Sequence, residues 1–385
     1  MRIACVVQRY GLEVAGGAEL HCRLIAGHLR SRGHHVEVFT TWALEHSEWR
    51  QGYPAGTATV DGIPVHRFAV EALRDQKRLA ALSNRVFAQP HSRADEEAWV
   101  RENGPRSPEL VAAVARARDA FDAFVFFSFR YYHSCFGLPA VRDKALLVPT
   151  AEEDDAAELG VFAELFAMPR RIAFNTVEEE ALIRRVSGGA AAPGHVVGCG
   201  LALPEDGKAD LAGFGLERPY LLYVGRIEPN KGCGTLFAYY DKWLATEGPK
   251  ADLVLAGKAA MPVPEHPRIH ALGFVSDAEK VALLRGCQGL VMPSRYESLS
   301  LVLLEAWQLG APVLANGRCK VLRGQCERAG GGLAYDGYEE FAAAAEALLE
   351  SSELRSQLGR QGGAYVAREY GWETVIARFE ALLPA

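Results

Sequence analysis

The sequence predicts an α/β protein with two parallel sheets covered by helices, and three observations carry that expectation. Short apolar runs rich in β-branched and aromatic residues alternate with longer stretches of helical period, which is the pattern of strand–helix–strand units. The alternation stops once, between residues 187 and 208, at the turn clusters SGGAAAPG and LPEDGK, and then restarts. A chain of 385 residues also exceeds one domain of about 150 residues, so two units of similar size follow.

Taken in order, residues 2–8 read as a strand. Residues 16–32 read as a helix whose Leu20, Leu24, Ile25, His28 and Leu29 recur at three- and four-residue spacing, with Gly33 closing it. A strand at 35–41, a hairpin or strand pair at 59–68 and two helical segments across 94–119, divided between Gly104 and Pro108, come next. Strands at 124–128, 145–149 and 171–174 and helices at 157–167 and 177–186 complete the first unit. After the break, strands are expected at 220–224, 252–256, 270–272, 289–292 and 312–315. Helices are expected at 234–244, 278–286 and from near Ser298 to Gly310, and 367–383 as a helical tail.

Composition narrows the function classes. Apolar residues make up 49% and charged residues 23%, with no low-complexity tract, so the chain buries cores rather than staying disordered. The net charge of −6 is spread along the chain without a basic stripe, which argues against a nucleic-acid partner. Eight cysteines never form Cys-X-X-Cys and read as buried thiols of a reducing, cytoplasmic setting. The opening MRIACVVQRY breaks at Gly11, too short for a signal or membrane segment. A peripheral membrane contact stays open, and the oligomeric state is not legible. No Asp-X-Asp pair, His/Cys ligand spacing or Walker loop appears, and neither GCGLAL nor GCGTLF completes G-X-G-X-X-G. No metal or cofactor is therefore expected.

Two constellations carry chemistry. In GLVMPSRYESLSLVLLEAWQLGAPVLAN (289–316) a strand ends at Pro293, and a polar loop leads into a helix. Unpaired amides at such a helix mouth suit an anion beyond the carboxyl end of a sheet. Glu297 lies at that mouth and Glu305 eight residues on. Carboxylates repel phosphate but accept hydrogen bonds from sugar hydroxyls, so the pair suits a ligand with sugars on both sides of its phosphates. Glu297 also fits a plain acidic helix start, whereas Glu305, set among LVLL and AW, is an odd exposed position.

The second constellation is YLLYVGRIEPNKGCGTLF (220–237). It holds Arg226 and Lys231 on one loop after a strand, where they could neutralise a diphosphate or simply be solvated cations.

Together, G-R-X₄-K-G after a strand and E-X₇-E about 70 residues later strongly resemble the family 4 glycosyltransferases. The resemblance extends to GGAELHCRLIAGHLRSRGHHVEVFTT, AFNTVEEEALI, LVLAGK and ALGFVS in the same order. It implies a GT-B fold of two Rossmann-like domains facing across a cleft: 1–197 on the acceptor side, 198–366 binding a nucleotide-sugar, and 367–385 packing back on the first. It also implies a retaining, metal-independent hexosyltransferase using a UDP-sugar, or next a GDP-sugar, on a hydroxyl-bearing natural product or glycan.

By that resemblance Arg226 and Lys231 contact the diphosphate, Glu305 the ribose and Glu297 the transferred sugar. Ser298, Leu299, Ser300, Leu301 and Val302 support phosphates and sugar through their amides. Phe274 and Val275 lie against the base, and Gly16 and Gly17 approach the donor.

Relatives often carry a His-Asp-Glu-like loop after residue 145, where this chain reads PTAEEDDAAE. Glu152 and Glu153, with Asp154 and Asp155, therefore either face an acceptor or form a solvated run, the latter favoured. Arg130 and His133 are acceptor-side candidates, with a structural histidine equally plausible. The rival readings are a GT-B epimerase or phosphorylase and a non-catalytic nucleotide-sugar binder.

Overall fold

The structure is a computed structural model that describes residues 1–14, 16–201, 203, 211–248 and 250–384. The chain divides into two compact units, Met1–Cys199 with Val375–Ala385, and Gly200–Thr374. Of the expected break, SGGAAAPG is seen, but LPEDGK from Pro204 onward lies outside the described residues.

The first unit is built on β1 (Arg2–Val6), β2 (His35–Thr41), β3 (Gly56–Val60), β4 (Ile63–Phe68), β5 (Ala123–Phe127), β6 (Ala145–Val148), β7 (Arg171–Phe174) and β8 (Gly194–Val196). Their order is β3-β4-β2-β1-β5-β6-β7-β8, and only the β3–β4 pairing is antiparallel. Strand β5, AFVFF, is buried at every position, as a central parallel strand covered on both faces must be. Phe124, Phe126, Phe129, Phe162 and Phe166 form the aromatic centre of this core, with Phe129 and Phe162 edge to face at 4.7 Å.

The second unit carries β9 (Tyr220–Val224), β10 (Asp252–Ala256), β11 (Ile269–Gly273), β12 (Gly289–Met292), β13 (Val313–Asn316) and β14 (Gly332–Tyr335). Their order is β11-β10-β9-β12-β13-β14, parallel throughout. Apart from the antiparallel β3–β4 hairpin, the strand order reverses beside β1 and β5 in the first unit and beside β9 and β12 in the second. Open α/β sheets bind ligands at the carboxyl ends of the strands flanking such a reversal.

Several elements differ from the expectations. The helix expected from near Ser298 begins at Leu301 and runs to Gln308, because Ser300 takes a left-handed conformation (φ 69°) that cannot continue a helix. Helices Gln76–Ala88, Lys320–Ala329, Tyr338–Glu350 and Ser352–Glu369 and strands β8 and β14 add to those anticipated. The 367–383 tail is not one helix. The helix from Ser352 ends at Glu369, and Trp372–Glu380 begins after Gly371. Within the first unit, Ile376 and Phe379 are buried and Glu380 accepts from Arg32 Nη2 at 3.0 Å.

Candidate active site

The two constellations of the second unit stand at the carboxyl ends of β9 and β12, the strands that flank its reversal. After β9 the chain turns through Gly225 and Arg226 into a short 3-10 turn, Pro229–Lys231, before helix Cys233–Glu247. Tyr223 fixes this loop, its hydroxyl donating to the Arg226 carbonyl at 2.6 Å. The Arg226 side chain is half exposed and lies 3.1 Å from Glu228. Gly232 holds a positive φ of 75°, and a Cβ there would run into the Pro293 carbonyl oxygen at the end of β12. Only glycine lets the two loops come this close.

After β12 the loop is clamped by Asn316, whose amide donates to the carbonyls of Pro293 at 3.1 Å and Ser294 at 3.3 Å. Lys231 Nζ lies 2.9 Å from Glu297 Oε1, so the two constellations meet through an ion pair. Ser300 is 8% exposed, and its hydroxyl has no hydrogen-bond partner among the described residues. It precedes helix Leu301–Gln308, which has no side-chain cap. An uncapped helix start leaves its first amides, with the positive end of the dipole, available to an anion. Leu299 is buried, and Leu301 and Val302 are half-buried.

Glu305 is 7% exposed, against the idea of a solvated helix position. Burial pushes its carboxyl above the ordinary range, and Lys280 opposes that shift. Lys280 Nζ lies 2.9 Å from Glu305 Oε1 and 3.2 Å from Asp277 Oδ1. Burial works against the Lys280 charge, yet Glu305 and Asp277 raise its pKa above the usual lysine value. Sequence reasoning missed Lys280, since a lysine in DAEKVALL reads as any surface helix position. It also missed Tyr223 and Asn316. On the loop after β11, Phe274 is 86% exposed and Val275 half-buried.

In the first unit, the loop after β1 ends at Gly16, where a Cβ would run into the Glu19 carboxylate. Glu19 accepts from Arg9 Nε at 2.7 Å within a buried pair. The space beside Gly17 is open.

Arg130 follows β5 and pairs with Asp154 at 2.8 Å and Glu152 at 3.8 Å. Burial disfavours its charge, but these two acids outweigh that and hold its pKa above the ordinary arginine value. Glu152 and Asp154 are thus partnered rather than a solvated run, and Glu153 pairs with Arg185 at 3.3 Å on the surface. His133 is 1% exposed. Its Nε2 lies 2.8 Å from the Phe127 carbonyl, which can only accept, so Nε2 carries the proton. Burial lowers its pKa to about 4, leaving it neutral near pH 7.

Among the described residues, no group of three or more His, Cys, Asp or Glu is placed to hold a metal ion. No described helix is long and apolar enough to cross a membrane.

Residues 211–364 match the family described as Glycosyl transferases group 1. D-inositol 3-phosphate glycosyltransferase 2 of Catenulispora acidiphila is 28% identical over 272 residues, which are 64% of this chain and 62% of that protein. The matched region thus spans less than two thirds of that relative's length. Among solved structures, sucrose-phosphate synthase from Thermosynechococcus elongatus has a TM-score of 0.73 at 18% identity, covering 99% of this chain and 98% of that one. The Anabaena protein HepE in complex with UDP has a TM-score of 0.69 at 17% identity, covering 99% of both chains. At these identities the likeness shows the fold, which is that of the GT-B class with two Rossmann-like units.

Proposed function

We propose that the chain is a retaining glycosyltransferase. It would move a sugar from a nucleoside-diphosphate donor, a UDP-sugar first and a GDP-sugar next, to a hydroxyl-bearing natural product or glycan. The observation that carries this reading is the start of helix Leu301–Gln308. There an uncapped helix mouth and an unpartnered Ser300 hydroxyl lie on the loop whose Glu297 meets Lys231. This is a preorganised anion site flanked by a carboxylate that suits sugar hydroxyls. The group 1 match over 211–364 and the UDP bound by HepE support the same donor class.

In this reading Arg226, Lys231 and the helix amides stabilise the charge that develops on the leaving diphosphate. Glu305 accepts the ribose hydroxyls, and Glu297 orients the transferred sugar. The exposed Phe274 ring, with Val275, lies against the base. The acceptor hydroxyl attacks the anomeric carbon from the face the diphosphate leaves. The carbon–oxygen bond to phosphate breaks through an oxocarbenium-like state, and the departing phosphate oxygen takes the acceptor's proton. Two cations and a helix dipole on one edge supply the charge a metal would otherwise supply, so turnover should persist in EDTA.

A melting-temperature screen against UDP-, GDP- and ADP-sugars tests the donor class. A donor at 100 times its Kd stabilises the fold by about 2.7 kcal/mol. Anomeric analysis of the glycoside by NMR then tests retention. No shift with any sugar nucleotide, or an inverted product, contradicts the proposal.

A further inference from the structure

Glu305 sits in the middle of helix Leu301–Gln308, whose neighbour Trp307 is fully buried and donates from its indole N–H to the Gly331 carbonyl at 2.8 Å. The helix is therefore held firmly, and the direction of the Glu305 carboxylate depends on what grips its end. Lys280 provides that grip at 2.9 Å from Oε1, reaching across from helix Asp277–Gly286. Both side chains are largely buried, at 18% and 9% exposed. Water therefore screens the pair poorly, and removing one partner strands the other.

The Lys280 helix is itself fixed at its start by a reciprocal cap. The Ser276 hydroxyl accepts from the Glu279 amide at 3.2 Å, and the Glu279 carboxylate accepts from the Ser276 amide at 2.7 Å. That cap follows directly on Phe274 and Val275, so the loop assigned to the base runs straight into the helix that carries the cation holding Glu305.

Resting on the donor reading above, we propose that Lys280 is a positioning residue. Its ammonium holds the buried Glu305 carboxylate ionised and turned to accept the two vicinal hydroxyls of the donor ribose. Both ribose hydroxyls can donate, and an ionised carboxylate offers a separate acceptor oxygen to each. A carboxyl that has lost its cation in this apolar setting takes up a proton or turns away.

The test is calorimetric titration of the full chain with UDP and 2′-deoxy-UDP, and in parallel with GDP and 2′-deoxy-GDP. The proteins are the unmodified chain, Lys280→Met, Lys280→Arg, Glu305→Gln and the double variant Lys280→Met/Glu305→Gln. A hydrogen bond to a charged group is worth about 1.5–3 kcal/mol, so Lys280→Met should weaken the ribonucleotide by roughly 10-fold or more. The 2′-deoxy nucleotide should lose much less, and Lys280→Arg should recover most of the affinity. In the Glu305→Gln background, losing the lysine should cost nothing further. The double variant, neutral at both positions, preserves the comparison if Lys280→Met alone does not fold. Equal losses for ribo- and deoxynucleotide, or no loss while Glu305→Gln weakens binding, overturn the role of Lys280 alone. Ribonucleotide binding unaffected by Glu305→Gln overturns the ribose assignment and this role with it.

Discussion

Lys231 and Glu297, 66 residues apart in sequence, hold each other at 2.9 Å, although the proposed function has them grip different parts of the donor. Lys231 must therefore exchange a carboxylate for phosphate when the donor enters, and Glu297 becomes available to the sugar at the same moment. Removing the carboxylate charge should then separate binding from turnover. Glu297→Gln is expected to tighten free UDP by roughly two- to five-fold, the scale of a partly exposed ion pair. It should also lower transfer by about 100-fold or more. Steady-state kinetics with a parallel UDP titration checks both signs. Weaker UDP binding in the variant would show that Glu297 does not compete for Lys231.

Ser300 offers a cleaner separation of fold from function. Its hydroxyl has no partner to lose among the described residues, and its left-handed φ of 69° is as strained in alanine as in serine. Ser300→Ala should melt within a few degrees of the unmodified protein yet raise the donor KM by roughly 10-fold, as expected for one hydrogen bond to a charged phosphate. Ser300→Gly, which relieves the backbone, should melt higher and still bind donor poorly. A normal KM in both variants would remove the hydroxyl from the site.

Gly232 joins the two loops by its closeness to Pro293. Gly232→Ala adds a methyl at a positive φ and against a carbonyl oxygen. The strained conformation alone costs about 1–3 kcal/mol, and the clash adds to it. A lower melting temperature together with loss of transfer is expected, because the shift separates Lys231 from Glu297. Unchanged melting and turnover would mean that the loops tolerate a wider spacing.

Buried titratable groups in the first unit set opposing limits on stability. Burial lowers His21 and His133 from 6.5 to about 4. The stability they contribute is present above pH 6.5 and is lost as pH falls through 4. Burial raises Glu179 from 4.5 to about 8, against hydrogen bonds donated by Asn175 and Ala151. Its folded form is therefore the protonated one, and that contribution, complete below pH 4.5, is lost as pH rises through 8. Melting curves of Glu179→Gln and the unmodified protein from pH 5 to 9 should diverge upward, the variant gaining relative stability as pH rises. A gap that closes with pH would mean that the amide bonds win and the carboxylate is ionised.

Much of the fold was legible because buried parallel strands leave continuous apolar runs, as AFVFF and LLYV do. The reversal of strand order was not, since register and neighbour choice lie in contacts between distant segments. Helix Gln76–Ala88 was missed because it is mostly exposed and buries only Val86, which leaves little periodic signal. Strand β8 is three residues in a Gly- and Pro-rich stretch and exists through its pairing with β7.

At the candidate site, the motifs gave Arg226, Lys231, Glu297 and Glu305 as charges. Sequence could not tell that Lys231 meets Glu297, or that Lys280 from another helix meets Glu305. The late start of the 301–308 helix was hidden for a similar reason. A serine in left-handed backbone is held there by its surroundings, and nothing in YESLSLVLL marks it.

In the proposed function, the edge of the second unit binds a nucleoside diphosphate through Arg226, Lys231, Ser300 and Glu305. Isothermal titration of UDP and GDP into the full chain, and into the Arg226→Ala/Lys231→Ala variant, measures that binding. Saturable binding of one nucleotide per chain is expected, weakening by about 100-fold or more when both cations are removed, each charge-assisted contact being worth about 1.5–3 kcal/mol. No binding by the unmodified chain, or equal binding by the variant, would contradict it.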